Sequence, residues 1–513
     1  MAGTNSTQSA VAALLADPAT HGLDQGAVKR IDTHAAMVFL AGTRVYKVKR
    51  AVRYPYLDFS TLTKREAACR AEIAANRPFA SELYEGVIPI VRRPDGRLAL
   101  TGEGETVEWV VVMRRFDENS TLDHVAAREG IGDELARRLG EAVAAAHGRA
   151  PVVEASPWIE ALGRYVEDEA TGIRAVPDIV PATEAAALER ALRERLGRIR
   201  PLLARRGQAG LVRRGHGDLH LGNVALIEDK PVPFDALEFD PVVASGDLLY
   251  DLAFLLMDLL ARKLDRAANI VFNRYLVAAG RDDDLNALAA LPFFMGLRAA
   301  IRGRVALDRR KLVQGDAQRE AEAEARSYVA LAARLLSPPP PRLVAIGGLS
   351  GTGKSLLGAA LAPLFAPAPG AVHLRSDIER KRLHGAGEFE RLPPQAYGAE
   401  ATERVYARLA ALAKRAVEAG HSAVVDAVYA EPGERAAIER MAAAAKVDFH
   451  GIWLDADLQS RVARVGARRA DASDADAEIA RAQESYDPGE IRWHRVDAVG
   501  NPAEILQAAR RAL

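Results

Sequence analysis

The nine residues GGLSGTGKS, Gly347 to Ser355, restrict the fold more than any other part of the chain. From Gly348 on they fit the spacing G-x-x-x-x-G-K-[ST]; the apolar run RLVAI precedes them and the helical stretch LLGAALAPLF follows. Glycines at such spacing let successive backbone N–H groups turn inward as a nest for phosphate oxygens, at the positive end of the helix dipole. Gly348, Ser350, Gly351, Thr352 and Gly353 are therefore the expected cradle. Lys354 would reach the terminal phosphates, and the Ser355 hydroxyl would take one magnesium position. ATP with Mg2+ is the expected ligand pair. Downstream, AVHLRSD, SAVVDAV and FHGIWLDAD alternate with alanine-rich helical stretches, the pattern of a parallel sheet covered on both faces.

At 513 residues the chain exceeds one hydrophobic core. Four consecutive prolines, Pro338 to Pro341, cannot continue the preceding helix and favour a stiff extended spacer. This organisation follows: a helical segment over 1–29, a strand-rich lobe over 30–117 with one helix at 61–77, a helical lobe over 118–336, a proline linker over 337–341 and a parallel-sheet domain over 342–513. Two pieces separable at the prolines are expected. The fold class is thus α/β and α+β multidomain. Lys plus Arg equals Asp plus Glu at 69 each, so no global basic surface announces nucleic acid or an anionic membrane. The start lacks a basic segment followed by an apolar one, and no apolar run is long enough to span a bilayer. A soluble cytoplasmic protein without a membrane partner is expected. The single cysteine, Cys69, excludes an intramolecular disulfide or a multi-cysteine zinc site and reads as a packed thiol.

The octamer HGDLHLGN, His216 to Asn223, packs an acid and an amide five residues apart on a glycine-punctuated loop. Phosphoryl transfer divides labour in this way: an Asp orients the attacking hydroxyl, and an Asn five residues on holds a metal. In PVPFDALEFDP, a short apolar strand delivers Asp235 as a second oxygen ligand suited to magnesium. His216 and His220 at i, i+4 would be poor zinc ligands, because the intervening glycine argues for a loop.

With FDALEFD and YDLAFLLMDL following in that order, the chain resembles the aminoglycoside phosphotransferase and choline kinase superfamily, distant relatives of the protein kinases. The resemblance implies a bilobal protein-kinase-like fold ahead of the parallel-sheet domain. It makes Asp218 the catalytic base and Asn223 and Asp235 the magnesium ligands. His216 would buttress the loop, and Asp251 would be a structural helix aspartate. The strand-rich lobe should then supply a lysine to the nucleotide and an acid to hold it. Lys47 and Lys49 lie on one face of RVYKVKRAV, so spacing does not choose between them. The order of apolar, aromatic and basic residues favours Lys47. Glu72 is the preferred acid and Glu66 the alternate. The adenine-binding hinge is expected around Val112 and Met113. No glycine-rich loop precedes the lysine strand, where Gly42 stands alone.

The P-loop half resembles polynucleotide kinases and the gluconate- and zeta-toxin-like small kinases. Asp377 in LRSDIERKRL follows a strand's carboxyl end, where open parallel sheets bind their ligands. The resemblance makes Asp377 the base that activates the acceptor hydroxyl and Arg380 the residue that positions it. Asp426, after SAVV, would be a metal-side or acceptor-side aspartate. Arg464 or Arg468, in SRVARVGARRADASDAD, would be the lid arginine. Together the halves imply a bifunctional ATP-dependent kinase that phosphorylates hydroxyls of sugar-like or nucleoside-like small molecules, with a polynucleotide 5′ end as a lesser option. Two alternatives are a first half that only binds a metabolite and regulates the second, and a second half that is a nucleotide switch. Asp377 with Arg380 argues against the switch.

Overall fold

In the computed structural model, which describes residues 2–23, 28–54, 57–238, 240–467 and 471–513, helix α1 (Ala2–Ala16) precedes a six-stranded antiparallel sheet. Strands β1 (Lys29–Asp32), β2 (Ala36–Ala41) and β3 (Arg44–Lys49) lead to a short pair, β4 (Arg53–Tyr54) and β5 (Leu57–Asp58), and to α2 (Leu62–Ala80). Then come β6 (Tyr84–Arg92), β7 (Leu98–Leu100) and β8 (Glu105–Arg114), and the sheet order is β1-β2-β3-β8-β6-β7. Period-two alternation gives the sheet two apolar faces. Phe39, Val48, Ile90 and Val110 pack against Val11 and Leu15 of α1. Leu40, Val45, Val111 and Met113 share the other face with Cys69 and Ala80 of α2. Cys69 is buried, and burial pushes its thiol up to about 12. Thr61 caps α2 by accepting from the Lys64 N–H at 3.3 Å.

Helices dominate the next 220 residues, as the periodicity indicates: α3 (Leu122–Glu129), α4 (Asp133–Arg149), α5 (Ser156–Arg174) and α6 (Ala182–Gln208). After them β9 (Val212–Arg214), the hairpin β10 (Val224–Ile227) and β11 (Lys230–Pro233), and β12 (Ser245–Asp247) frame the loop that carries HGDLHLGN. The helices resume with α7 (Leu248–Ala261), α8 (Asp265–Ala279), α9 (Asp283–Asn286), α10 (Leu291–Arg310) and α11 (Asp316–Leu336). The expectation that no run reaches membrane-spanning length is corrected here. The helical run Asp283–Arg310 meets the length and apolarity, and 83% of its most apolar window is buried inside the protein, as in a core helix.

Past the prolines lies a five-stranded sheet of β13 (Arg342–Gly347), β14 (Val372–Arg375), β15 (Ala423–Asp426), β16 (Asp448–Asp455) and β17 (His494–Asp497). All its pairings are parallel, in the order β14-β15-β13-β16-β17. Its helices are α12 (Lys354–Leu361), α13 (Ser376–Leu383), α14 (Ala399–Glu418), α15 (Pro432–Ala445), α16 (Leu458–Gly466), α17 (Ala477–Ala482) and α18 (Pro502–Arg510). Val344, Ile346, Val424, Ile452 and Leu454 form the core with Leu357 and Leu361 of α12.

The chain divides into two compact units, Met1–Asp168 with Arg200–Asp258, and Glu169–Ile199 with Leu259–Leu513. Within the second, α8 meets the sheet at its edge strand. Asn269 and Asn273 donate to the Ala371 carbonyl at 3.1 Å each. The Asn273 carboxamide oxygen accepts from the His373 N–H at 2.7 Å. Two carboxamides one helical turn apart thus take the place of a neighbouring strand.

Candidate active sites

In the first unit, Asp251 on α7 shapes the HGDLHLGN loop. Its carboxylate accepts from the N–H groups of His216 at 2.7 Å and Gly217 at 2.9 Å, and His147 lies 3.2 Å away. Burial opposes ionisation there, yet the His147 bond, the His147 and His216 rings and the His216 N–H hold the Asp251 carboxyl well below the usual range. Gly217 has φ +80°, and a Cβ there would come within 3.0 Å of the Ala244 backbone. The Asn223 side-chain N–H donates to the Asp218 carboxylate and carbonyl, each at 3.0 Å, which leaves its amide oxygen for a metal. His216 Nε2 lies 2.9 Å from the Phe234 carbonyl, and burial pushes its imidazole down.

The Asp235 turn is stitched to this loop. The His216 carbonyl accepts from Leu237 N–H and the Asn223 carbonyl from Phe234 N–H, both at 2.9 Å. Asp235 itself has φ +61°. Its N–H donates to the Tyr84 hydroxyl at 3.1 Å, and the next N–H donates to Asn76 of α2 at 2.9 Å. Lys47 lies 2.8 Å from Glu72 and 2.7 Å from Asp235. Burial works against the Lys47 charge, but Asp235 and Glu72 raise its pKa well above the ordinary value. Lys49, equally a partner of Glu72 at 2.6 Å, turns to Glu238. Both lysines therefore face the buried Glu72, and of the two it is Lys47 that pairs with Asp235. Glu66 is taken up by Arg70 on the helix surface. Val112 and Met113 are flanked by β3 and β6 along the ladder, and the N–H groups of Arg114 and Arg115 donate to the Leu83 and Thr43 carbonyls at 2.8 Å each, so the expected hinge backbone is already engaged through Arg115.

In the second unit the phosphate loop leaves β13 and enters α12 at Lys354. Gly348, Gly351 and Gly353 have φ of 141°, 88° and 95°. A Cβ on Gly351 would sit 2.5 Å from the Arg461 carbonyl oxygen, whereas nothing lies within 4 Å of one on Gly353. The open side of this glycine cradle fits a polyphosphate. Thr352 Oγ1 donates to the Leu349 carbonyl at 2.8 Å, and the Ser350 N–H donates to Gln483 at 2.7 Å. Lys354 reaches the same Leu349 carbonyl at 3.1 Å. Ser355, in the first turn of α12, donates to Asp426 at the end of β15 at 3.1 Å, and these two hard oxygen donors suit magnesium. His373 bonds the other Asp426 oxygen at 2.6 Å. Burial again opposes ionisation, while His373, Arg375 and Lys354 hold the Asp426 carboxyl low.

Asp377, one residue into α13, opens onto the cleft above the loop together with Arg380. Burial pushes the Asp377 carboxyl up despite the attraction of Arg375 and Lys354. Arg380 donates to the Ala396 carbonyl at 2.7 Å and lies over the Tyr397 ring at 4.9 Å. Arg464 is turned back. It donates to the Ala498 carbonyl at 2.6 Å and the Thr352 carbonyl at 3.4 Å, so it grips the phosphate loop's backbone instead of reaching across a transferring phosphate. Arg468 lies outside the described residues. Reading the sequence missed His373, Lys49 as a second partner of Glu72, and Glu238. The signal for His373 was its place two residues before Arg375 on one strand face; Glu238 stands three residues after Asp235 in FDALEFD.

Residues 44–291 match the phosphotransferase enzyme family, and residues 343–488 match a domain described as an AAA domain. An uncharacterized protein of Mycobacterium tuberculosis (strain H37Rv) is 30% identical over 490 residues, which cover 91% of this chain and 92% of that protein. This chain belongs to the same family. This chain fuses a phosphotransferase-type kinase domain to a P-loop domain. Solved structures are similar to each part. Aminoglycoside 2′-phosphotransferase-IIIa, with GDP, is 16% identical over 60% of this chain and 93% of its own, with a TM-score of 0.36. A gluconokinase from Sinorhizobium meliloti is 21% identical over 34% of this chain and 94% of its own, with a TM-score of 0.24.

Proposed function

We propose that this protein is a cytoplasmic, bifunctional ATP-dependent kinase whose halves each transfer the γ-phosphoryl group to a hydroxyl of a small molecule. The observation that carries the reading is the meeting of the phosphate loop with Asp377 and Arg380 in one cleft. Asp377 takes the acceptor's proton as the hydroxyl oxygen bonds to the γ-phosphorus. The bond to the β–γ bridging oxygen breaks, and ADP leaves. Lys354 follows the phosphate charge, and Arg380 orients the acceptor. Magnesium, held by Ser355 and Asp426, would neutralise phosphate charge there. In the first half Asp218 plays the part of Asp377, kept in orientation by the Asn223 amide. Lys47, held by Glu72, meets the nucleotide phosphates. Asn223 and Asp235 are the corresponding magnesium ligands. The acceptors in view are sugar-like or nucleoside-like compounds, with a polynucleotide 5′ end as the lesser option.

Transfer of radiolabelled phosphate from ATP by the full-length protein tests both halves. Asp218→Asn and Asp377→Asn should each remove transfer to one acceptor, by at least about 10²-fold in kcat, while ATP still binds. Unchanged turnover of both acceptors in Asp218→Asn would make the first half a metabolite-binding module.

A further inference from the structure

The cleft above the phosphate loop measures about 1290 Å³, more than the roughly 300–1,000 Å³ of a typical small-ligand pocket. Room for a second molecule lies beyond Asp377, between α14 and α15. Small side chains line both helices there, Ala399, Ala407 and Ala410 on one, Gly433 and Ala437 on the other, and they leave a slot. Tyr406, Tyr429 and Ile438 supply its apolar wall. The two tyrosine rings are 5.3 Å apart, and the Tyr406 hydroxyl accepts from the Tyr429 N–H at 2.8 Å, which fixes the wall.

The charges in this part of the cleft are acidic. Among the described residues lining the cleft, the basic ones are Lys354, Arg380 and Arg464. Lys354 belongs to the phosphate loop, and Arg464 grips the loop's backbone. Arg380 alone faces the acceptor, already bound to the Ala396 carbonyl and close to Thr402 Oγ1 at 3.3 Å. Facing it are Asp377, Glu403, Glu431 and Glu434. Arg435, next in sequence to Glu434, is buried away from the slot on the carbonyls of Tyr429, Ala430 and Pro488. Among the described residues, a phosphate or carboxylate entering here would meet carboxylates without a free cation to answer it.

We infer that the acceptor of the P-loop half is a hydroxyl compound without an anionic group, neutral or positively charged, whose apolar or aromatic body lies between α14 and α15. The inference rests on the phosphotransferase reading of this cleft and narrows it. It removes sugar acids and polynucleotide ends and keeps nucleosides, neutral sugars bearing an apolar group and amino alcohols.

Matched pairs test it on the full-length protein: a nucleoside against its 3′-monophosphate, glucose against gluconate, and phenylalaninol against 3-phenyllactate. Only phosphate transfer that disappears in Lys354→Ala is assigned to this cleft. The member without negative charge should have the higher kcat/KM, by at least about tenfold. Glu403→Lys combined with Glu431→Lys should move that ratio towards the anionic member by a similar factor. Preference for the anionic member, or a ratio that the double substitution leaves unmoved, would overturn the inference. If no member is turned over, the same compounds are titrated by calorimetry into protein saturated with a non-hydrolysable ATP analogue. Binding of the uncharged or cationic members then supports the inference, and tighter anionic binding or no binding at all overturns it. Failure of the analogue itself to bind in a Lys354-dependent way would overturn the phosphotransferase reading instead.

Discussion

Two buried titratable side chains show how single residues set the behaviour of the P-loop half. His421 lies 2.8 Å from the Gly370 carbonyl, and burial lowers its pKa from 6.5 to about 4. Between those values the unfolded chain binds a proton that the folded chain refuses. The stability tied to a neutral His421 is therefore present above about pH 6.5 and is lost as the pH falls towards 4, by at most about 1.4 kcal/mol per unit. A series of melting curves on His421→Gln should give a flatter acid limb than the wild type; parallel limbs would remove His421 from the account. Asp377 has the opposite sign. Its folded pKa is raised from 3.8, so the native state holds its proton longer and stability falls as the pH rises through that window. Loss of the Asp377 proton is therefore a net cost to folding. Asp377→Asn should raise or preserve Tm at pH 7 while transfer falls, and a lowered Tm would contradict the burial argument.

Among the elements, β14 is the one whose environment decides most. It is the edge of the parallel sheet, yet its backbone is covered by Asn269 and Asn273 of α8. The same strand carries His373 to Asp426 and feeds α13 with Asp377. Leaving the His373 N–H without its partner should cost about 1–3 kcal/mol. Asn273→Ala is expected to lower Tm and to speed hydrogen exchange at His373, whereas Asn286→Ala, on α9, should not change exchange there. Exchange at His373 unchanged by Asn273→Ala would show that the carboxamide does not cover this edge in solution. The same cover bears on a cut at the prolines: a fragment starting at Arg342 exposes the edge, and one starting at Leu259 retains it. Light scattering should find the shorter fragment associating and the longer one monomeric.

At the scale of the whole molecule, the two phosphate sites differ in completeness. The second has a glycine cradle with Lys354 and Ser355 in place, whereas the first has no glycine-rich cover and holds Lys47 in ion pairs with Glu72 and Asp235. ATP must displace or share those pairs to bind there. Titration with a fluorescent ATP analogue is expected to show two phases. Lys354→Ala should abolish the tighter one, and the weaker, magnesium-dependent phase should disappear on adding Asp235→Ala. A single phase of full affinity surviving Lys354→Ala would place the main nucleotide site in the first half.

What the sequence determined by itself was everything written in local spacing. The strand-loop-helix around Gly348 to Ser355, the Asp and Asn five residues apart in the 216–223 loop, and the period-two faces of β2 and β3 are legible because backbone geometry acts over a few residues. Tertiary structure decided what depends on residues far apart in the chain. Lys47 and Lys49 look alike on their strand, and only the Asp235 turn, held by Tyr84 and Asn76, separates their partners. Arg464 reads as a lid residue until the Ala498 carbonyl, 34 positions away, takes its guanidinium. The tetraproline marks a break in the backbone, but the edge of the sheet beyond it is closed by a helix that precedes it. A hydrogen-bonding edge takes the nearest suitable partner in space, and chain order does not specify which one that is.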